Sequence, residues 1–184
     1  MSKKGVITTK TIAFCAIFTA LGVIVARFLS IAPNESTRFS FESVPIFLSG
    51  VLFGPLAGAM VGFATDFIGC LFSPYGFNPL MCLPPVLYGL CGGLFQGLIM
   101  KKLSLFRIFA AYFPAVILGS ILWQSYALST VSGKGFLFFL GTRSIQFAVV
   151  FVLDALLTWM LFKSRVFQAA GLWPPIGRKK EGHA

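Results

Sequence analysis

Ser43-Val-Pro-Ile-Phe-Leu-Ser-Gly-Val-Leu-Phe-Gly-Pro-Leu-Ala-Gly-Ala-Met-Val-Gly-Phe-Ala-Thr-Asp-Phe-Ile-Gly-Cys-Leu-Phe72 carries one charged residue, Asp66, in an otherwise apolar run. Read as a single helix kinked at Gly54-Pro55, this stretch crosses a membrane once; read as two helices turning at Phe53-Gly54-Pro55, it crosses twice. The choice fixes the side of every later loop. One crossing would leave Lys101, Lys102 and Arg107 outside, against the rule that basic loops stay cytoplasmic; two crossings keep them inside. A glycine followed by proline also suits a turn, since proline cannot continue a preceding helix without losing a hydrogen bond. The first crossing, 43–54, is short. Twelve helical residues cover about 18 Å against a hydrocarbon core of about 30 Å, so this helix is expected to reach back toward Arg38.

The rest of the chain agrees with a membrane reading. Of 184 residues, 57% are hydrophobic and 11% charged, against about 25% charged in a soluble domain. That deficit excludes a water-soluble globular protein. Apolar stretches lie at 12–29, 43–54, 56–72, 81–100, 108–130 and 136–162, which predicts an all-α integral membrane protein. It is expected to be one domain over 1–184, a compact bundle of six transmembrane helices with both termini cytoplasmic. The net charge of +10 follows from topology: of the 15 basic residues, all but Arg27, Arg38, Lys134 and Arg143 fall on the inner side, so no nucleic-acid partner is implied. Lys3 and Lys4 before an apolar run resemble a signal peptide, but no small-x-small cleavage site follows and the helix is expected to be retained.

Catalytic chemistry finds little to use. The one histidine, His183, stands in a basic tail, and no GxxxxGK[ST] phosphate loop exists. The carboxylates Glu35, Glu42, Asp66, Asp154 and Glu181 include no pair within one span at acid/base spacing. Cys15, Cys70, Cys82 and Cys91 lack CxxC spacing and read as buried thiols, although Cys70 and Cys82 flank one loop and could approach each other. Neither an enzyme nor a metal site nor a resident cofactor is expected. Asn34-Glu35-Ser36 is a formal glycosylation acceptor of a kind common by chance.

Polar residues at membrane depth are costly and usually functional. Gly58, Gly62, Asp66 and Gly69 recur at intervals of four, four and three, which puts Asp66 on a glycine-lined helix face. Arg27, Arg38, Asp66 and Arg143 gather at one outer level with an excess of positive charge, which favours an anion. Asp154 stands alone in the inner half and reads as structural or partner-facing. The loop 73–80 offers Phe77 and Asn78 beside Tyr75, and the far end of the fifth span offers Trp123 and Gln124 beside Tyr126. Aromatic faces with amide donors and acceptors suit a flat ligand. Bland roles compete: Asp66 bridging helices through an arginine, Tyr75 and Tyr126 belting the interface, Asn78 capping its turn. Ala13, Ala16 and Ala20 form a smooth strip on the first span where a partner helix could approach.

These residues together resemble the substrate-binding S components of energy-coupling factor (ECF) vitamin transporters, most nearly the folate-specific family, over nearly the whole chain. The strongest part runs from Arg38-Phe-Ser-Phe-Glu-Ser-Val-Pro-Ile-Phe-Leu-Ser-Gly through Leu52-Phe-Gly-Pro-Leu-Ala-Gly to Gly62 and Asp66. Arg27-Phe28, Phe77-Asn78-Pro79 and Arg143 also fall where that family has similar residues. Gln124-Ser125 replaces an expected Asn-Thr pair, and Leu80-Met-Cys-Leu-Pro-Pro replaces a small-residue stretch. The resemblance implies a bacterial plasma-membrane protein binding a vitamin in an outer pocket, closed by the first and third loops. It implies a transmembrane coupling subunit, met through Ala16-x-x-x-Ala20, and two cytoplasmic ATPase subunits. Folate is the expected cargo; the alternatives are riboflavin, pantothenate or a pyrimidine precursor, a self-sufficient oligomeric transporter, or a structural membrane partner without ligand.

Overall fold

The stretch 43–72 forms two helices that turn at Gly54. Helix α2 spans Ser43–Phe53 and α3 spans Pro55–Leu71. Gly54 has φ of 100°, a region that side chains avoid, and its amide still donates to the Gly50 carbonyl at 2.8 Å. Pro55 then opens α3 at a position where its missing N–H costs nothing. The computed structural model describes residues 9–28, 30–34, 37–72, 78–101, 103–132, 135–164, 167 and 171–172.

Helix α1 covers Thr9–Phe28, α4 Leu83–Leu94, α5 Gln96–Lys101, α6 Leu105–Ala115, α7 Gln124–Ser132 and α8 Phe136–Lys163. The fourth span is α4 and α5, broken at Phe95, and the fifth runs through α6 and α7 with an eight-residue π-helical stretch, Val116–Trp123, between them. Pro114 precedes that stretch. Its ring removes one rung and crowds the carbonyl four residues back, which favours a widened turn. Three continuous helices are long and apolar enough to cross a bilayer: Thr9–Phe28, Leu105–Thr130 and Phe136–Lys163. Leu56, Met60, Phe63, Phe106, Leu137 and Ile145 are all exposed around the bundle, an apolar surface that suits lipid.

Two features differ from the expectation. The first loop carries a short antiparallel hairpin, β1 (Ile31–Asn34) with β2 (Thr37–Phe39), where Ile31 faces Phe39 and Asn34 faces Thr37. Helix α2 therefore does not reach back to Arg38. It starts at Ser43, is 11 residues long, about 16 Å, and buries every residue from Ser43 to Leu52. A helix this short, enclosed by α1, α3, α4 and α8, need not span the bilayer by itself.

Close backbone contact holds this centre together. A Cβ on Gly89 of α4 would overlap the carbonyl of Gly58 on α3, and one on Gly62 would overlap that of Pro85. The glycine stripe on α3 thus lies against α4. Beneath α2 the core is aromatic with paired hydroxyls: Phe47 stacks on Tyr112 with centroids 3.8 Å apart. Tyr112 shares a hydrogen bond of 2.9 Å with Thr158, and Tyr88 one of 2.8 Å with Ser120.

Candidate functional site

Helix α8 sets the depth scale. Its inward face carries Phe139, Arg143, Gln146, Val150, Asp154 and Thr158, at helical spacing. Arg143 lies about 10 Å from the start of α8 and Asp154 about 27 Å from it. The Ser43 hydroxyl donates to Asp154 Oδ2, so α2 begins at the level of Asp154, roughly 16 Å below Arg143. Above α2, at the hairpin end of the bundle, lies a recess. It is bordered by α7, by the upper part of α8 and by the descending segment Phe39-Ser40-Phe41-Glu42, whose residues are all half-buried.

Buried polar groups line that recess. Arg143 is 7% exposed, Ser125 0% and Asp154 1%. Arg143 Nε, Ser125 Oγ, Ser40 Oγ and Asp154 Oδ1 have no hydrogen-bond partner. Each buried group left unpaired costs about 1–3 kcal/mol, so a cluster of them marks a place built to receive a polar molecule. Arg143 also stands 5.7 Å from the centre of the Phe147 ring, a contact that orients the guanidinium without satisfying its Nε.

The four ionisable groups expected at one level divide. Arg27 and Asp66 form a second group, between α1, α3 and the start of α4. A Cβ on Gly69 would stand 3.3 Å from Arg27 Nη2 and 3.5 Å from its Nε, so the guanidinium lies flat over this glycine. Cys70 Sγ is 4.0 Å from Asp66 Oδ2, and the Cys82 thiol also donates to Asp66. Cys70 and Cys82 are both free thiols gathered at one carboxylate. Arg38 lies on β2, which packs against α8, and its side chain is outside the described residues.

Asp154 does not stand alone at the inner end. It is a buried partner of Ser43, with Glu42 within electrostatic reach. Sequence position hid this because Ser43 and Asp154 are 111 residues apart, and because α2 was expected to start near the membrane surface. The excess of positive charge read from the sequence is likewise incomplete, since Glu42 and Asp154 both belong to the recess. Gln146, 4% exposed on the same face of α8, is a further residue the sequence reading missed; its spacing of three from Arg143 was the available signal.

The third loop is described only from Asn78. Its Oδ1 accepts from the Leu80 amide at 3.0 Å and caps the 3-10 turn Pro79–Met81, the bland role considered above. Trp123 Nε1 donates to the Leu80 carbonyl at 2.7 Å, and the ring lies 6.1 Å from that of Tyr126. Trp123 thereby ties the end of the π-helical stretch to this turn. Gln124 beside it is half-buried. Phe77, Tyr75, Glu35, Ser36 and His183 lie outside the described residues. On α1, Ala13, Ala16 and Ala20 are all exposed, flanked by exposed Ile12, Ile17, Leu21 and Ile24.

Comparison with known proteins extends these observations. A relative from Clostridium novyi (strain NT), the folate transporter FolT, is 27% identical over 151 residues, 82% of this chain and 86% of the relative. A crystal structure of FolT bound with folic acid superposes with a TM-score of 0.75 at 25% identity, covering 85% of this chain and 95% of that one. The S component for biotin from an ECF-type ABC transporter superposes at 0.63 with 15% identity, over 88% and 95%, and shares the fold. A family model described as "ECF-type riboflavin transporter, S component" matches residues 6–163. The chain is an S component of an ECF-type transporter and belongs to that family.

Proposed function

We propose that this S component captures folate from the outer side of a bacterial plasma membrane and delivers it inward with a transmembrane coupling subunit and two cytoplasmic ATPases. In this reading the hairpin end faces outward, the chain is one domain without catalytic activity or resident cofactor, and folate is cargo. The observation that carries it is the recess above α2, with Arg143, Ser125, Ser40 and Asp154 presenting unpaired buried polar atoms. It sits in a bundle that matches folate-bound FolT over 85% of this chain. Arginines at the rim suit the two carboxylates of the glutamate tail, because guanidinium and carboxylate pair through parallel hydrogen bonds. Phe39 and Phe41 supply aromatic surface beside it.

Riboflavin is the second reading, because the matching family is described as a riboflavin transporter component. It is also a flat, bicyclic-edged heterocycle, but it lacks carboxylates for the arginines. Titrating the purified protein in detergent with folic acid, riboflavin, biotin and pantothenate separates the readings. Folic acid is expected to bind at least about tenfold more tightly than the others, a difference of about 1.4 kcal/mol. Tighter binding of riboflavin would replace the folate reading. Uptake into vesicles that requires the ATPases separates this assembly from a self-sufficient transporter.

A further inference from the structure

We propose that Asp154, held by Ser43 at the buried start of α2, receives the donor edge of the ligand's ring system, so that a pterin enters ring-first and leaves its glutamate at the arginines. This inference rests on the folate reading and adds to it an orientation and a residue that determines specificity. The recess is polarised along its depth. Arg143 lies near the rim, while Asp154 and Glu42 lie at the floor roughly 16 Å below. A ligand with carboxylates at one end and hydrogen-bond donors at the other fits this gradient in one direction only.

The chemistry at the floor is specific. An ionised carboxylate accepts and does not donate, and each oxygen has two lone-pair sites. Ser43 occupies one site on Oδ2, and Oδ1 has no partner although the residue is 1% exposed. Thr158, one turn further along α8, is taken up by Tyr112, and Tyr88 by Ser120. Those hydroxyls are committed to one another. The 2-amino-4-oxopyrimidine edge of a pterin presents an amino group and a ring N–H side by side, spaced to meet the two oxygens of one carboxylate. Hydrogen bonds to a charged acceptor are the stronger kind, and Glu42 nearby makes an unsatisfied charge on Asp154 costlier still. Riboflavin's isoalloxazine edge has a carbonyl where the pterin has its amino group, which would face the carboxylate acceptor to acceptor.

The test uses ligand pairs on the full-length protein in detergent. Wild type should bind folic acid about tenfold or more above 2-desaminofolic acid, and Asp154→Asn should reduce this preference to about threefold or less, because the amide turns one acceptor into a donor. Arg143→Ala should keep the amino-group preference and lose the preference for folic acid over pteroic acid, which lacks the glutamate. Equal wild-type affinity for folic and 2-desaminofolic acid overturns the inference whether or not Asp154→Asn folds. So does an Asp154→Asn protein that folds and keeps the preference, which would make Asp154 only the pin of α2. If the wild type binds riboflavin but no folate, the folate reading itself has failed.

Discussion

At the scale of single residues, the arginines that look equivalent in sequence have different surroundings and should respond differently to removal. Arg143 presents a buried Nε without a partner toward the recess, whereas Arg27 lies over Gly69 beside the Asp66 and Cys70 group. On the folate reading, Arg143→Ala should cost about 2–5 kcal/mol of binding, as for a desolvated charge pair that loses one partner. Arg27→Ala should chiefly lower the unfolding temperature, with a smaller change in affinity. Calorimetric titration and thermal unfolding of both variants check this, and equal affinity losses would place both arginines on the ligand. Asn78 belongs at the same scale. Its oxygen is already used by the Leu80 amide, so Asn78→Ala should lower stability by roughly 0.5–2 kcal/mol, the range for losing a cap. All ligands should be affected alike, and a loss confined to pterins would show that the amide reads the ring edge instead.

Elements show what was legible in the chain and what was not. The break at Gly54-Pro55 and the stripe of Gly58, Gly62 and Gly69 are local patterns, and both appear in the fold as helix boundary and helix contact. The hairpin of the first loop, the π-helical stretch after Pro114 and the mid-depth start of α2 were not legible. Helical periodicity says which residues share a face, but not the level at which a helix begins; that is set by the Ser43–Asp154 contact between distant segments. Candidate residues were found where the signal was a charge at membrane depth, and their grouping was missed because grouping depends on that level. The contact between α3 and α4 makes its own prediction. Gly89→Ala would drive a methyl into the Gly58 backbone, which cannot rotate aside as a side chain would, so stability should fall by about 1–3 kcal/mol or more. At Gly141, in α8, nothing lies within 4 Å of the added Cβ. There alanine should stabilise by about 0.5–1 kcal/mol, through the backbone entropy that glycine loses. Thermal unfolding in one detergent compares the two, and equal behaviour would mean the α3–α4 contact is not closely packed in solution.

For the whole molecule, the question is which part of the bundle's surface faces lipid and which faces the coupling subunit. Most of the exposed surface carries bulky apolar side chains, which lipid tails accommodate as well as any protein would. The Ala13, Ala16 and Ala20 strip differs: it is exposed, continuous along α1 and nearly flat. In a bilayer, burial of apolar surface gives no advantage to helix contact over lipid contact, so association depends on close packing across small residues. A flat strip therefore fits a partner helix better than it fits disordered acyl chains. The strip lies outside the recess and includes none of its lining residues, so its effects on coupling and on ligand capture should separate. Ala16→Leu with Ala20→Leu should leave folate affinity within about threefold of wild type while cutting co-purification with the coupling subunit and uptake about tenfold or more. The measurement is a pair: ligand titration on the isolated S component, and uptake by the assembled transporter in vesicles. Loss of binding and uptake together would mean that α1 packs differently and that the strip supports the recess. Normal uptake with both leucines would place the coupling surface elsewhere on the bundle.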